Sequence, residues 1–191
     1  MTLIRGREPD EALTILGAAP GSIGPAAFED VPFGVTDREL VLAREWPERG
    51  WTFAVECDGP SGFLGWRRDL LAGLSARGGF AGTALYLPNV QEVCAAEDGQ
   101  VVSVVEPLRA YRRSGTHPDR FAVRMRELGF GVGDEDDRTG VARDLPPGAL
   151  TTLLLEVMTG VTLDASALEG PWLGGMMRFD ERGAQIRFPS H

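Results

Sequence analysis

The sequence predicts an α+β fold: a mainly antiparallel sheet built from hairpins and a meander, with helices packed against it. Three observations carry this expectation. Strand-like apolar runs are joined by turn material, as at Pro47-Glu48-Arg49-Gly50 and Glu97-Asp98-Gly99. Stretches with helical periodicity, several of them punctuated by proline and glycine, lie between those runs. Of the 191 residues, 43% are hydrophobic and 25% charged, which is enough apolar material for a real core.

The elements follow in order. Thr2 to Arg5 reads as a short first strand. Pro9-Asp10-Glu11-Ala12-Leu13-Thr14-Ile15-Leu16-Gly17 reads as a helix, with proline and acids in its first turn and a glycine to end it. Ala12, Ile15 and Leu16 fall on one face, with Leu13 beside it. After a Gly/Pro-rich connection, Ala26 to Asp30 fits one helical turn. Glu39–Arg44 and Trp51–Cys57 form a hairpin, with Trp51, Phe53, Val55 and Cys57 on one face of its second strand. Trp66 to Ser75 is a helix with Leu70, Leu71 and Leu74 as its core stripe. Three strands follow at Gly82–Leu87, Gln91–Ala96 and Val101–Glu106. The last is apolar on both faces, the mark of a central strand covered twice. Helices are expected at Pro118–Gly129 and Gly148–Met158, with a short fourth at Leu163–Leu168. Residues 1–165 are expected to form a single α+β domain. Residues 166–191 form a C-terminal extension or a terminal hairpin around Glu181-Arg182-Gly183.

Charge narrows the function classes. The formal net charge is −9, and all 19 basic residues are arginine. Binding to nucleic acid needs concentrated positive charge, so no nucleic-acid partner is expected. Docking on an anionic membrane is disfavoured for the same reason. Acidity serves solubility first, and it would also speed encounter with a basic protein partner. The opening residues lack the pattern of a signal peptide, and no apolar run approaches the roughly 20 residues needed to span a bilayer. A cytoplasmic location is therefore expected. Cys57 and Cys94 form no CxxC motif and have no histidine cluster with them, so they read as buried free thiols.

No catalytic residue, metal site or cofactor is expected. His117 and His191 are the only histidines, too few for a multi-histidine metal site. The run Asp134-Glu135-Asp136-Asp137 lacks the spacing of an EF-hand loop and reads as a solvated loop. Gly78-Gly79-Phe80-Ala81-Gly82 has no Lys-Ser/Thr ending and runs from helix to strand, the reverse of a phosphate-binding turn. Ser61 lies outside any Gly-x-Ser-x-Gly elbow. Glu56, Asp58, Glu97, Asp98 and Glu106 lie at strand ends, where two carboxylates that meet could do acid–base work. Trp46 and Trp51 bracket the first hairpin turn. Exposed, they would anchor a partner; buried, they would pack beneath a loop.

Four segments carry a resemblance. They are Leu3-Ile4-Arg5-Gly6 with Pro9-Asp10-Glu11-Ala12-Leu13 and Leu16-Gly17; Gly50-Trp51-Thr52-Phe53-Ala54-Val55-Glu56; Ala96-Glu97-Asp98-Gly99 with Val105-Glu106-Pro107-Leu108; and Leu155-Glu156-Val157-Met158-Thr159-Gly160-Val161-Thr162-Leu163. In this order the chain, to about residue 165, resembles a family of actinobacterial proteins built on a domain of unknown function. The resemblance implies no activity, cofactor or catalytic residue.

The favoured expectation is a non-enzymatic protein-binding module, such as an immunity or accessory protein in a bacterial conflict or regulatory system. The alternative is a small ligand-binding or hydrolase-like domain that uses strand-end carboxylates. Glu56, Glu106, Trp46 and Trp51 are the candidate binding residues.

Overall fold

The computed structural model describes residues 1–31, 37–47, 50–56, 66–87, 89–133, 138–180 and 184–186. Among them nine strands form one antiparallel sheet. They are β1 (Thr2–Arg5), β2 (Gly24–Ala26), β3 (Arg38–Glu45), β4 (Trp51–Glu56), β5 (Phe80–Leu87), β6 (Val90–Glu97), β7 (Gln100–Val105), β8 (Arg113–Ser114) and β9 (Trp172–Arg178). The spatial order is β2-β9-β3-β4-β1-β5-β6-β7-β8. The α+β class read from the sequence is the class observed. The α-helices of the described residues are α1 (Pro9–Leu16), α2 (Arg68–Ser75), α3 (Ala122–Glu127), α4 (Gly140–Asp144) and α5 (Pro147–Thr159), of which α1, α2 and α5 pack directly on the sheet.

Strand alternation sorts the core into two clusters, one on each face of the sheet. Leu3, Leu42, Phe53, Ala84 and Val93 project toward α5, where Leu150, Leu154 and Leu155 are fully buried. Ile4, Val41, Ala54, Ala81 and Cys94 project toward α1 and α2. The period-2 split of the second hairpin strand, with Trp51, Phe53 and Val55 opposite Ala54, is therefore the split observed.

Local chemistry explains the best-punctuated elements. Pro9 opens α1, Asp10 and Glu11 complement the helix dipole, and Gly17 takes the left-handed conformation (φ 96°) that ends it. Its buried residues are Ala12, Leu13 and Leu16. Asp98 (φ 45°) and Gly99 (φ 78°) make the tight turn between β6 and β7.

Two segments depart from the sequence expectation. The strand apolar on both faces, β7, stands eighth in the order rather than at the centre. It is still covered twice, with Val102 and Val105 in one cluster and Val101 and Val104 packed against the other. The helix expected at 118–129 is regular only over Ala122–Glu127. The residues before it are drawn to the sheet, where the His117 and Thr116 amides donate to the carbonyls of Val102 and Val101. Residues 172–178 form β9, which lies between β2 and β3, and among the described residues beyond it Phe179 and Gln185 form an antiparallel bridge.

The contact between α5 and β5 is tight. A Cβ added at Gly82 would lie 2.7 Å from Thr159 Cγ2 and 3.0 Å from Leu155 Cδ1. Replacing Gly82 with valine is expected to cost about 1–3 kcal/mol through overpacking, read as a lower midpoint in urea unfolding. An unchanged midpoint would mean that α5 does not bear on this strand.

Candidate functional site

The candidate residues at the strand ends do not meet. Glu56 closes β4 and stands opposite Val41 of β3. Glu106 follows β7 and lies 3.7 Å from Arg109. Register carries a single row from Ala54 through Thr2, Thr83 and Cys94 to Val104. The two glutamates are each two residues beyond that row, at the same end of the sheet. Four strand spacings separate them, about 19 Å at about 4.8 Å per step. Carboxylates that share a glycosidase mechanism stand about 5–9.5 Å apart, so Glu56 and Glu106 cannot act on one bond together.

The two tryptophans belong to the core. Trp46 is 3% exposed and Trp51 is 8% exposed. The Trp46 amide donates to the Trp51 carbonyl (2.8 Å), so the pair closes the hairpin ladder. Trp46 packs on Phe53 with ring centroids 5.1 Å apart, and Trp51 meets Phe80 edge-on at 6.1 Å. The Arg5 guanidinium lies over Trp51. Trp46 nevertheless lines one side of a surface cleft.

That cleft has a volume of about 570 Å³, within the range of ligand sites. Its floor is one row across three strands: Ala43 of β3, Leu173 of β9 and Pro25 of β2. The other lining groups are Arg44, Glu45, Trp46 and Pro47 at the end of β3, Pro171 and Trp172 at the start of β9, and Pro9 at the start of α1. Pro25 suits its place, because β2 is an edge strand and needs no amide on its open side.

The polar groups of the cleft differ in their engagements. Arg44 donates to the Glu169 carbonyl and lies 5.4 Å from the Trp172 ring centroid. The Trp172 indole donates to the Leu168 carbonyl (3.3 Å), and Phe28 meets its ring edge-on at 5.2 Å. These contacts hold the Arg44–Trp172 wall in place. Glu45 is exposed, and no arginine of the described residues pairs with its carboxylate.

A second polar cluster lies under α2. Arg68 and the Trp66 indole both donate to the Glu92 carboxylate, and the buried Cys94 thiol donates to Glu92 over 3.1 Å. Burial first, then the Glu92 charge, push the Cys94 thiol far above the usual thiol range, against the lowering effect of Arg68. Cys94 is held as a neutral thiol, the opposite of an activated nucleophile. No sequence signal marked this cluster, because nothing local joins residue 68 to residue 92. Cys57, Asp58, Ser61 and the acidic run 134–137 lie outside the described residues. His117 is exposed, with its ring 3.2 Å from the Thr116 hydroxyl.

With Cys57 replaced by serine, the native chain is expected to release no chromophore from a disulfide thiol reagent at pH 8, and one equivalent after unfolding. The raised pKa also sets a sign. Its stabilisation is complete below the unfolded thiol value of about 8.5 and is lost as pH rises above it. Prompt reaction of the native chain would contradict the assignment.

A family model matches residues 1–171, and its family is described as one of unknown function, DUF6461. No curated protein and no solved structure matches the chain. The chain belongs to the DUF6461 family, which agrees with the domain of unknown function that the four sequence segments implied. The match stops at the residue before β9, so Trp172 and Leu173 of the cleft lie beyond it.

Proposed function

We propose that this DUF6461 member is a protein-binding module whose cleft at the β3–β9 end receives a segment of a partner protein. The observation that carries the reading is the composition of the cleft. Prolines and tryptophans supply rigid apolar walls, which lose little entropy on binding. Arg44 is already engaged, while among the described residues no arginine pairs with the exposed Glu45 carboxylate. The matching segment places an apolar side chain over Leu173 and an arginine or lysine beside Glu45. The net charge of −9 adds long-range attraction for such a basic segment.

Display of random peptides against the immobilised full chain tests this directly. Enriched sequences are expected to pair an apolar residue with a neighbouring arginine or lysine. Pro47→Arg, on the exposed rim, is expected to weaken them by about tenfold or more, the equivalent of about 1.4 kcal/mol. Glu45→Lys is expected to slow association and flatten its salt dependence. Peptides that bind both variants as well as the parent chain would place binding elsewhere.

A further inference from the structure

At the opposite end of the β3–β9 ladder, Arg38 and Arg178 stand directly across from one another. Like charges placed opposite in a sheet repel, and a sheet normally avoids them or sets an acid between them. Here the acids are 28 against 19 arginines, yet among the described residues Arg38 pairs with its chain neighbour Asp37, and only at 4.0 Å. Among the described residues no carboxylate pairs with Arg178. Both side chains are exposed, so the arrangement is open to a solute.

The two arginines border a pocket of about 300 Å³. Met176, Phe179 and Ile186 give it an apolar side, and Asp37 lies on its rim. The backbone fixes these walls: the Phe179 amide donates to the Asp37 carbonyl (2.9 Å), and the Ile186 amide donates to the Arg178 carbonyl (2.8 Å). Two planar guanidinium groups beside an apolar wall match one ligand chemistry. An oxyanion would take their donors and neutralise their repulsion, and an apolar body attached to it would cover Met176 and Ile186.

We propose that Arg38 and Arg178 form an oxyanion site for a phosphate ester or carboxylate carried on an apolar body. The site is separate from the cleft. Arg38 and Arg44 are six residue steps apart along β3, about 20 Å at about 3.4 Å per residue.

Calorimetric titration of the full chain with phenyl phosphate and with benzoate, against inorganic phosphate and phenol, tests the proposal. Saturable binding is expected for at least one of the two aromatic anions, tighter than for inorganic phosphate, with none for phenol. The tighter of the two identifies phosphate ester or carboxylate as the preferred group. Arg38→Gln and Arg178→Gln are each expected to weaken binding by about tenfold or more, while Pro47→Arg leaves it unchanged. A second measurement needs no ligand. Without anions, at low ionic strength, Arg178→Gln is expected to raise the melting temperature by removing the repulsion, and 1 M sodium chloride is expected to erase the gain. Absence of saturable binding by either aromatic anion would overturn the proposal. So would binding that survives in both glutamine variants, or a lowered melting temperature for Arg178→Gln at low salt.

Discussion

Four residues at the start of the chain join the two halves of this protein. β1 is the fifth of nine strands, paired with β4 on one side and β5 on the other. Leu3 projects into the α5 cluster and Ile4 into the α1–α2 cluster, and neither is exposed. The Thr2 and Thr83 hydroxyls meet at 3.0 Å, and the Ala84 amide donates to the Met1 carbonyl. Without β1, β4 and β5 would each present a row of unpaired backbone groups in the middle of a hydrophobic layer, which is costly. The hairpin β3–β4 and the meander β5–β8 are local structures. β1 makes them one sheet.

A second constraint operates on the other side of the hairpin, where β9 enters between β2 and β3. Its centre is Gly174-Gly175. A Cβ at 174 would lie 2.6 Å from the Ala26 Cβ and 2.8 Å from Leu40, and one at 175 would lie 3.0 Å from the Ala18 Cβ. Bare backbone at these positions lets the strand fit between its neighbours and under α1. Both sites argued above follow from this insertion. One end of the β3–β9 ladder brings Trp172 and Leu173 beside Arg44 and Glu45, and the other sets Arg178 opposite Arg38.

What could be read in the sequence was local. Pro9, Asp10, Glu11 and Gly17 specify α1 within nine residues, and Asp98-Gly99 specifies the β6–β7 turn. Lateral order was not legible, because strand pairing is decided by packing between segments far apart in the chain. A run apolar on both faces reports that a strand is covered and says nothing of its rank, hence β7 at position eight. Glu56 and Glu106 were rightly placed at strand ends, but their separation depends on how many strands intervene. Trp46 and Trp51 sit beside a turn in sequence and inside the core in space. Arg44, Glu45 and the Arg38–Arg178 pair acquire their meaning only from β9.

If β1 makes a single cooperative sheet, its two halves must open together, and native-state hydrogen exchange tests that most directly. The amides of Leu3 and Ile4, of Leu42 in the hairpin, and of Ala95 in the meander are expected to exchange with one common free energy, equal to that of global unfolding. Two distinct free energies, with the β3–β4 half opening independently of the β5–β8 half, would contradict it.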